Sequence, residues 1–373
     1  MTLTIKNISL ENFRNYTKYS LCDIGSLTIF IGPNAIGKTN LLEAIYLSTS
    51  LSTFRNVPAK QLIKWNERTA KIKADLVSDS RNLSLDLSIG ENGKEFNLNG
   101  KKKTTKELRG LLPSVCFLPD DLTLIKGSQS VKRKTIDNFG IQASRNYHTI
   151  KKDYEKILQH KNSLLKEESE RNMTELIEAV NQTLVTTGTQ FYLYRKALLS
   201  QLEPYITKHY EIISGRKEEI TISYIPSWCD INFLSMEENK ERITDQFISS
   251  LYEKYNEERR RGMSLIGPHA DKIEFYINGR DMTVYGSQGQ QRSLVLSIKL
   301  AEVEVLQDIT GQKPILLLDD VMSELDKERR TALLSFIQDD IQTFITTTNC
   351  EYFSEELLNS ARVIDFSEQS TKV

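Results

Sequence analysis

The sequence predicts an α/β fold: a sheet built around a strand–glycine loop–helix unit, an antiparallel β portion beside it, and a helical lobe carrying a short antiparallel helical arm. Three observations predict it. Apolar residues alternate with a period of two from the N-terminus to about Pro119. Between about Gln129 and Ser214 the period changes to 3.6. The last third alternates strand, helix and strand again.

Taken in order, Leu3–Leu10 alternate as a strand, Leu27–Ile31 form a short apolar strand, and residues 70–89 alternate again. Glu91–Lys94 and Asn99-Gly100 read as turns between strands, and Val115–Leu118 as a buried strand ending at Pro119. Tyr147, Ile150, Tyr154, Ile157 and Leu158, then Val180, Leu184, Leu198 and Leu202, mark two amphipathic helices turning near Glu168–Asn172. An arm of about 40 residues per side would span only roughly 60 Å. A strand at Ile220–Ile225 and a charged helix from about Asn239 to Arg261 follow. After them come a strand near Ile273–Ile277, a helix from about Gln290 to Gln307, the strand Ile315–Leu318, a helix near Lys327–Gln338 and the strand Phe344–Thr347. With no repeat and no Pro/Gly-rich linker, the helical part reads as an insertion in one α/β domain. The expected parts are 1–119, 120–262 and 263–373.

Composition sets the function classes. Hydrophobic residues make up 39% and charged residues 27%, with a formal net charge of -1. A protein that coats nucleic acid over its whole surface is usually basic, so any DNA contact here must come from a local patch. No run approaches the roughly 18 apolar residues that span a bilayer. The N-terminus opens as a strand and not as a signal peptide. A cytoplasmic protein with no membrane partner is expected. Cys22, Cys116, Cys229 and Cys350 make no CxxC pair, and the four His residues have no metal-hydrolase spacing, so zinc and disulfides are not expected.

Gly32-Pro33-Asn34-Ala35-Ile36-Gly37-Lys38-Thr39 fits G-x-x-x-x-G-K-[ST] at every fixed position, with an apolar strand before it and a helical stretch from Asn40 after it. Gly32 and Gly37 let the backbone turn its N–H groups around phosphates. Lys38 is expected on the β- and γ-phosphates of ATP, and the Thr39 hydroxyl on Mg²⁺. Downstream, the apolar strand Ile315–Leu318 ends in Asp319 and Asp320. Ionised carboxylates there need a counter-charge. Asp319 fits the magnesium position, and Asp320 the group that orients or deprotonates the attacking water. Ser287, Gly289 and Gln290 stand just before an apolar-periodic helix, where a helix N-terminus makes a second anion site.

This ordered set resembles the ABC-type ATPases: phosphate loop, helical insertion, Ser-x-Gly-Gln signature, acidic strand. Ser323–Asp326 matches that family's D-loop. Thr346–Asn349 sits where the family carries a switch residue, often His; with no His in the run, one of its Thr or Asn residues would have to contact the γ-phosphate, and Thr348 is taken as the candidate. Asp320 stands where most members have Glu, which suits slow hydrolysis. The interval between Lys38 and Ser287 is too long for a transporter's ATPase, and the arm too short for an SMC tether. Leu10–Tyr16, Phe117–Leu122, Gly267–Asp271 and Asp319–Asp326 look like the RecF branch. Members more often have Arg where Ala270 stands. The resemblance implies an ATP-dependent homodimer in which one subunit's signature completes the other's site. It implies binding to DNA at single/double-strand gaps, weak DNA-stimulated hydrolysis that resets the dimer, and a place in DNA replication, repair and the SOS response. RecR, RecO and RecA are the implied partners, with RecA loading as the outcome. The alternative is an SMC-like chromosome-tethering ATPase.

Phosphate contact needs cations without strict geometry, so Lys101, Lys102, Lys103, Lys132, Arg133, Arg55 and Lys60 are candidates for sequence-independent DNA binding. Arg14, beside the first strand, is a candidate nucleotide contact. His269 is expected to be structural or close to the nucleotide.

Overall fold

The computed structural model describes residues 3–55, 57–78, 80–91, 93–167, 173–215, 217–229, 240–337 and 341–367. The strands are β1 Thr4–Phe13, β2 Tyr16–Leu21, β3 Leu27–Ile31, β4 Ala70–Ser78, β5 Arg81–Gly90, β6 Gly93–Leu98, β7 Lys101–Lys103, β8 Ser114–Phe117, β9 Ile220–Ile225, β10 Lys272–Ile277, β11 Arg280–Asp281, β12 Ile315–Asp319, β13 Thr343–Thr347 and β14 Arg362–Asp365. The helices are α1 Lys38–Ser50, α2 Thr105–Leu108, α3 Gln129–Ala143, α4 Arg145–Lys166, α5 Met173–Ser214, α6 Lys240–Arg261, α7 Gln288–Thr310, α8 Lys327–Ile337 and α9 Glu355–Ser360. The expected turns at Glu168–Asn172 and over Asn92, and the helix start at Asn239, lie outside the described residues.

Two compact units divide the chain: Met1–Thr123 with Lys208–Arg216 and Arg292–Val373, and Leu124–Thr207 with Lys217–Gln291. The sequence expectation put a boundary at 262–263. By packing, residues 263–291 belong instead with the helical unit, because β10 and β11 complete a three-stranded sheet with β9 in the order β11-β10-β9.

The first unit holds a five-stranded sheet, β14-β3-β13-β12-β8, parallel throughout its pairs. Buried parallel strands read as unbroken apolar runs, as Ile315–Leu318 does. Its second sheet is antiparallel, β2-β1-β4-β5-β6-β7. Here the alternation is clean: Ile72, Ala74 and Leu76 on β4 are buried, while Lys71 and Lys73 face water. Helix α1 packs against β4 of one sheet and β8, β12 and β13 of the other. That explains why it is apolar nearly all round, with Leu41, Leu42, Ala44, Ile45 and Leu47 at 0% exposure.

In the second unit Ser144 ends α3 and caps α4, so the first side of the expected arm is two helices. Helix α6 packs on α4. A dry ion pair ties them, Lys161 Nζ to Glu258 Oε2 at 2.7 Å, beside a small apolar cluster of Leu164, Leu165 and Ile177.

Candidate nucleotide site

The first unit brings the phosphate loop and the acidic strand end together. Parallel pairing sets Asp319 of β12 opposite Thr346 of β13, and Thr347 opposite Ile31 of β3, so the carboxyl ends of three strands meet where the loop leaves β3. Open α/β sheets bind ligands at such an edge.

The loop needs its glycines for space as much as for turning. Gly37 has φ +117°, and a Cβ there would lie 2.5 Å from Asn15 Nδ2. Asn15 Nδ2 donates to Ile36 O at 3.2 Å, and Tyr16 OH to Gly37 O at 3.0 Å, so the β1–β2 hairpin props the loop from behind. Lys38 Nζ donates to Gly32 O at 2.6 Å and Pro33 O at 2.9 Å. Burial holds its pKa below the usual lysine value, against the pull of Asp320 and Asp319.

Asp319 Oδ1 accepts from Thr39 Oγ1 at 2.8 Å and from Thr346 Oγ1 at 2.7 Å. Thr346 Oγ1 in turn accepts the Asp320 N–H at 2.9 Å. Asp320 stands in the left-handed region, φ +52°, at the turn just past β12. Its Oδ1 is buried and, among the described residues, has no hydrogen-bond partner. Burial raises its pKa above the ordinary carboxylate value, Lys38 opposes that, and Asp319 and Glu324 add to it. Asn34, Ala35, Gly37, Lys38, Thr39, Asn40, Arg55, Asp320 and Thr346 line one cleft. A triphosphate with a divalent cation fits this donor set: turned backbone, an ammonium, a hydroxyl beside a carboxylate, and a second carboxylate with an unused buried oxygen.

Several expected residues lie elsewhere. Arg14 is not in the cleft lining: its guanidinium makes a bidentate pair with the fully buried Glu43, at 2.8 and 3.0 Å, and donates to Gln61 O. Thr348 is exposed just past β13 and does not line the cleft, whereas Thr346, two residues earlier, does. Arg55, expected on DNA, lines this same cleft, donating to Asn40 Oδ1 at 3.0 Å. Thr346 belongs to the expected switch run Thr346–Asn349, whereas Asn15 and Tyr16 carry no site signal in sequence, because only folding places them there.

In the second unit, Ser287 Oγ accepts the Gln290 N–H at 3.2 Å, and Gln290 Oε1 accepts the Ser287 N–H at 3.1 Å. This reciprocal pair caps α7. Ser287 is exposed, and Val284 and Tyr285 just before it are 67% and 72% exposed. His269 is structural, bonded to Tyr154 OH at 2.6 Å and Ser264 O at 3.1 Å.

The cation candidates divide sharply. Lys132 is only 2% exposed, donates to Thr283 Oγ1 at 3.0 Å and lies over the Phe275 ring; burial lowers its pKa. A buried ammonium cannot meet a phosphate. Arg133 donates to Asp271 O. On the edge strand β7 the exposed Lys102 pairs with Glu95 and Lys103 with Glu107, each at 2.8 Å; Lys101 is exposed as well, as is Lys60 in the loop region before β4.

A family profile described as RecF/RecN/SMC N terminal domain matches residues 4–372. The DNA replication and repair protein RecF of Staphylococcus epidermidis (strain ATCC 12228 / FDA PCI 1200) is 36% identical, covering 98% of this chain and 99% of that one. That of Macrococcus caseolyticus (strain JCSC5402) is 38% identical, covering 98% of each. A solved structure of the recombination mediator protein RecF with ATP, in the RecFOR pathway, is similar with a TM-score of 0.86 at 32% identity, covering 95% of this chain and 94% of that one. An Smc head domain from Pyrococcus furiosus is similar at a TM-score of 0.51 and 15% identity, which speaks to the fold alone.

Proposed function

The chain belongs to the RecF family of the RecF/RecN/SMC ATPases, and from that we propose an ATP-switched, DNA-binding protein of replication and recombinational repair. The observation that carries the reading is the meeting of Lys38, Thr39, Asp319 and Asp320 at one strand-end cleft, in a chain alike to RecF over its whole length.

Each group has a task in that reading. The turned backbone at Gly32–Gly37 and the Lys38 ammonium would hold the β- and γ-phosphates of ATP. Thr39 and Asp319 would hold Mg²⁺, which when bound neutralises phosphate charge and orients the terminal group. Thr346 keeps Asp319 aimed and fixes the backbone of Asp320. Asp320, with its unused oxygen and raised pKa, would orient the attacking water and take its proton. A single carboxylate, shorter than Glu, suits slow turnover.

ATP would join two copies, with Ser287, Gly289 and Gln290 of one capping the phosphates of the other. The joined pair would bind DNA at single/double-strand gaps, with hydrolysis as the release. RecR and RecO would act with it to load RecA. Lys101 and Lys60 are the cations best placed for phosphate, with Arg55 answering to the nucleotide first. The chain is expected in the cytoplasm; among the described residues no helix is long and apolar enough to cross a membrane.

The test is the mass of the Asp320→Asn protein by analytical ultracentrifugation, with ATP and magnesium and without, then gapped-DNA binding under both conditions. A nucleotide-dependent dimer that binds DNA is expected. A monomer under both conditions would sink the switch.

A further inference from the structure

Trp65 is 88% exposed, the most exposed large apolar side chain among the described residues. The chain's other tryptophan, Trp228, is 4% exposed and stacked on Phe247. An indole left in water gains nothing for folding, yet the backbone around Trp65 is firmly held. Lys64 N–H donates to Asn12 O at 2.8 Å, Glu67 N–H to Lys64 O at 3.0 Å, Ile63 pairs with Phe13, and Leu62 is fully buried. Asn66 takes the left-handed conformation, φ +67°, making the tight turn on which Trp65 stands. The ring is therefore displayed by a rigid loop and not by a frayed one.

Its surroundings choose the occupant. Asn66, Glu67, Arg68 and Thr69 beside it are exposed and polar, so there is no apolar patch of the kind that seats a protein partner. Lys60, Lys64 and Arg68 flank it at every fourth residue, with Glu67 the one acid among them. A flat aromatic ring among cations is the arrangement that binds bases and their phosphates.

We propose that Lys60–Arg68 is a DNA-contact lip: the Trp65 indole stacks on an unpaired or terminal base, and the exposed Lys60 and Arg68 hold the neighbouring phosphates, while the Lys64 ammonium is tied to Thr17 Oγ1. The inference rests on the DNA-binding reading above and deepens it, since a stacking platform distinguishes a gap from continuous duplex. The lip is also joined to the phosphate loop. Leu62 O accepts the Arg14 N–H at 2.8 Å and Gln61 O accepts Arg14 Nη1 at 2.9 Å, while the adjoining Asn15 and Tyr16 donate to Ile36 O and Gly37 O. One hairpin thus supports both the lip and the nucleotide cradle.

The test uses the full chain with ATP and magnesium, oligo-dT, gapped duplex and blunt duplex of equal length, and the variants Trp65→Phe, Trp65→Ala and Lys60→Ala/Arg68→Ala. Thermal melts of the variants should match the parent, because the indole is exposed. Gapped DNA should quench parent tryptophan emission and shield it from acrylamide. Trp65→Phe, with only Trp228 left, should show neither change. Trp65→Ala should bind gapped DNA roughly tenfold more weakly, the scale of one base–aromatic stack, at an unchanged salt slope. Lys60→Ala/Arg68→Ala should instead flatten that slope, by roughly 0.7 to 0.9 for each phosphate no longer neutralised. Unquenched Trp65 at saturating DNA, or parent-like affinity in Trp65→Ala, would overturn the lip while leaving the DNA-binding reading intact. Trp65→Ala that binds DNA normally but loses a protein partner would reassign the indole and overturn it equally. A parent chain that binds no DNA would fail the broader reading first.

Discussion

Two of the regions that bury carboxylates treat them oppositely. In the helical unit Arg195, 1% exposed, grips Asp137 through Nε and Nη2 at 3.0 and 3.1 Å and lies over the Phe191 ring. Tyr147 OH donates to the same Asp137 Oδ1 at 2.6 Å. Asp271 accepts from Tyr224 OH at 2.6 Å and Ser227 N–H at 2.8 Å. Each oxygen of these two carboxylates has a donor. In the candidate nucleotide cleft, Asp319 takes two donors on Oδ1, but Asp320 keeps a buried oxygen with no donor among the described residues. A saturated network fixes a fold, whereas an unsatisfied group lowers stability and persists where a ligand or reaction uses it.

Breaking the saturated network should have the largest effect on folding. Arg195→Met leaves Asp137 buried and without its counter-charge, so the helical unit should lose about 3–5 kcal/mol. Denaturant unfolding followed by Trp228 emission in a Trp65→Phe background reads that unit. Gly37→Ala probes the open region: its Cβ meets Asn15 at 2.5 Å and its φ of +117° suits only glycine. It should cost about 1–3 kcal/mol of nucleotide affinity, measured by titration calorimetry, with little change in the helical unit.

Acid sharpens the contrast. Burial pushes Asp271 up to about 6 although Arg195, Tyr224 and Ser227 oppose it. The native state then holds a proton more tightly than the unfolded chain. The group's contribution to stability is therefore full below its unfolded value of 3.8 and is lost as pH rises toward 6. Asp271→Asn should remove that part of the slope between those limits. Asp320 shifts the same way, and in the proposed role the consequence is catalytic: protonated, it could not accept from water, so ATP turnover should fall on acidification at a higher pH than an ordinary carboxylate dictates. Lys132→Met should have the smallest effect, with DNA affinity and its salt slope at parent values, because that ammonium is already committed inside the fold.

Much of the candidate cleft was legible because its signals are local. Gly32–Thr39 and the run into Asp319 and Asp320 each carry their chemistry in a few consecutive residues, and the expected strands and helices around them form close to the expected bounds. What sequence could not supply was pairing across the fold. Thr346 enters the site, and not Thr348, because β13 runs parallel to β12 in a register that sets it against Asp319. Arg14 is held by Glu43, and Lys102 and Lys103 by Glu95 and Glu107. Lys132 did leave a trace: Lys132, Ile136, Phe139, Gly140 and Ala143 share the helical spacing of α3's buried face. The short strands β2, β7 and β14 carry too few apolar residues to announce themselves.

The most direct measurement is on Asp320→Asn, comparing steady-state ATP turnover with unfolding stability in one preparation. The substitution keeps shape, suits the left-handed backbone and removes a carboxylate charge whose buried oxygen accepts no hydrogen bond among the described residues. Turnover should fall about 10²- to 10⁴-fold, ATP should still bind, and stability should hold or rise. Parent-like turnover, or a stability loss on the scale of Arg195→Met, would contradict the assignment of Asp320 to the reaction.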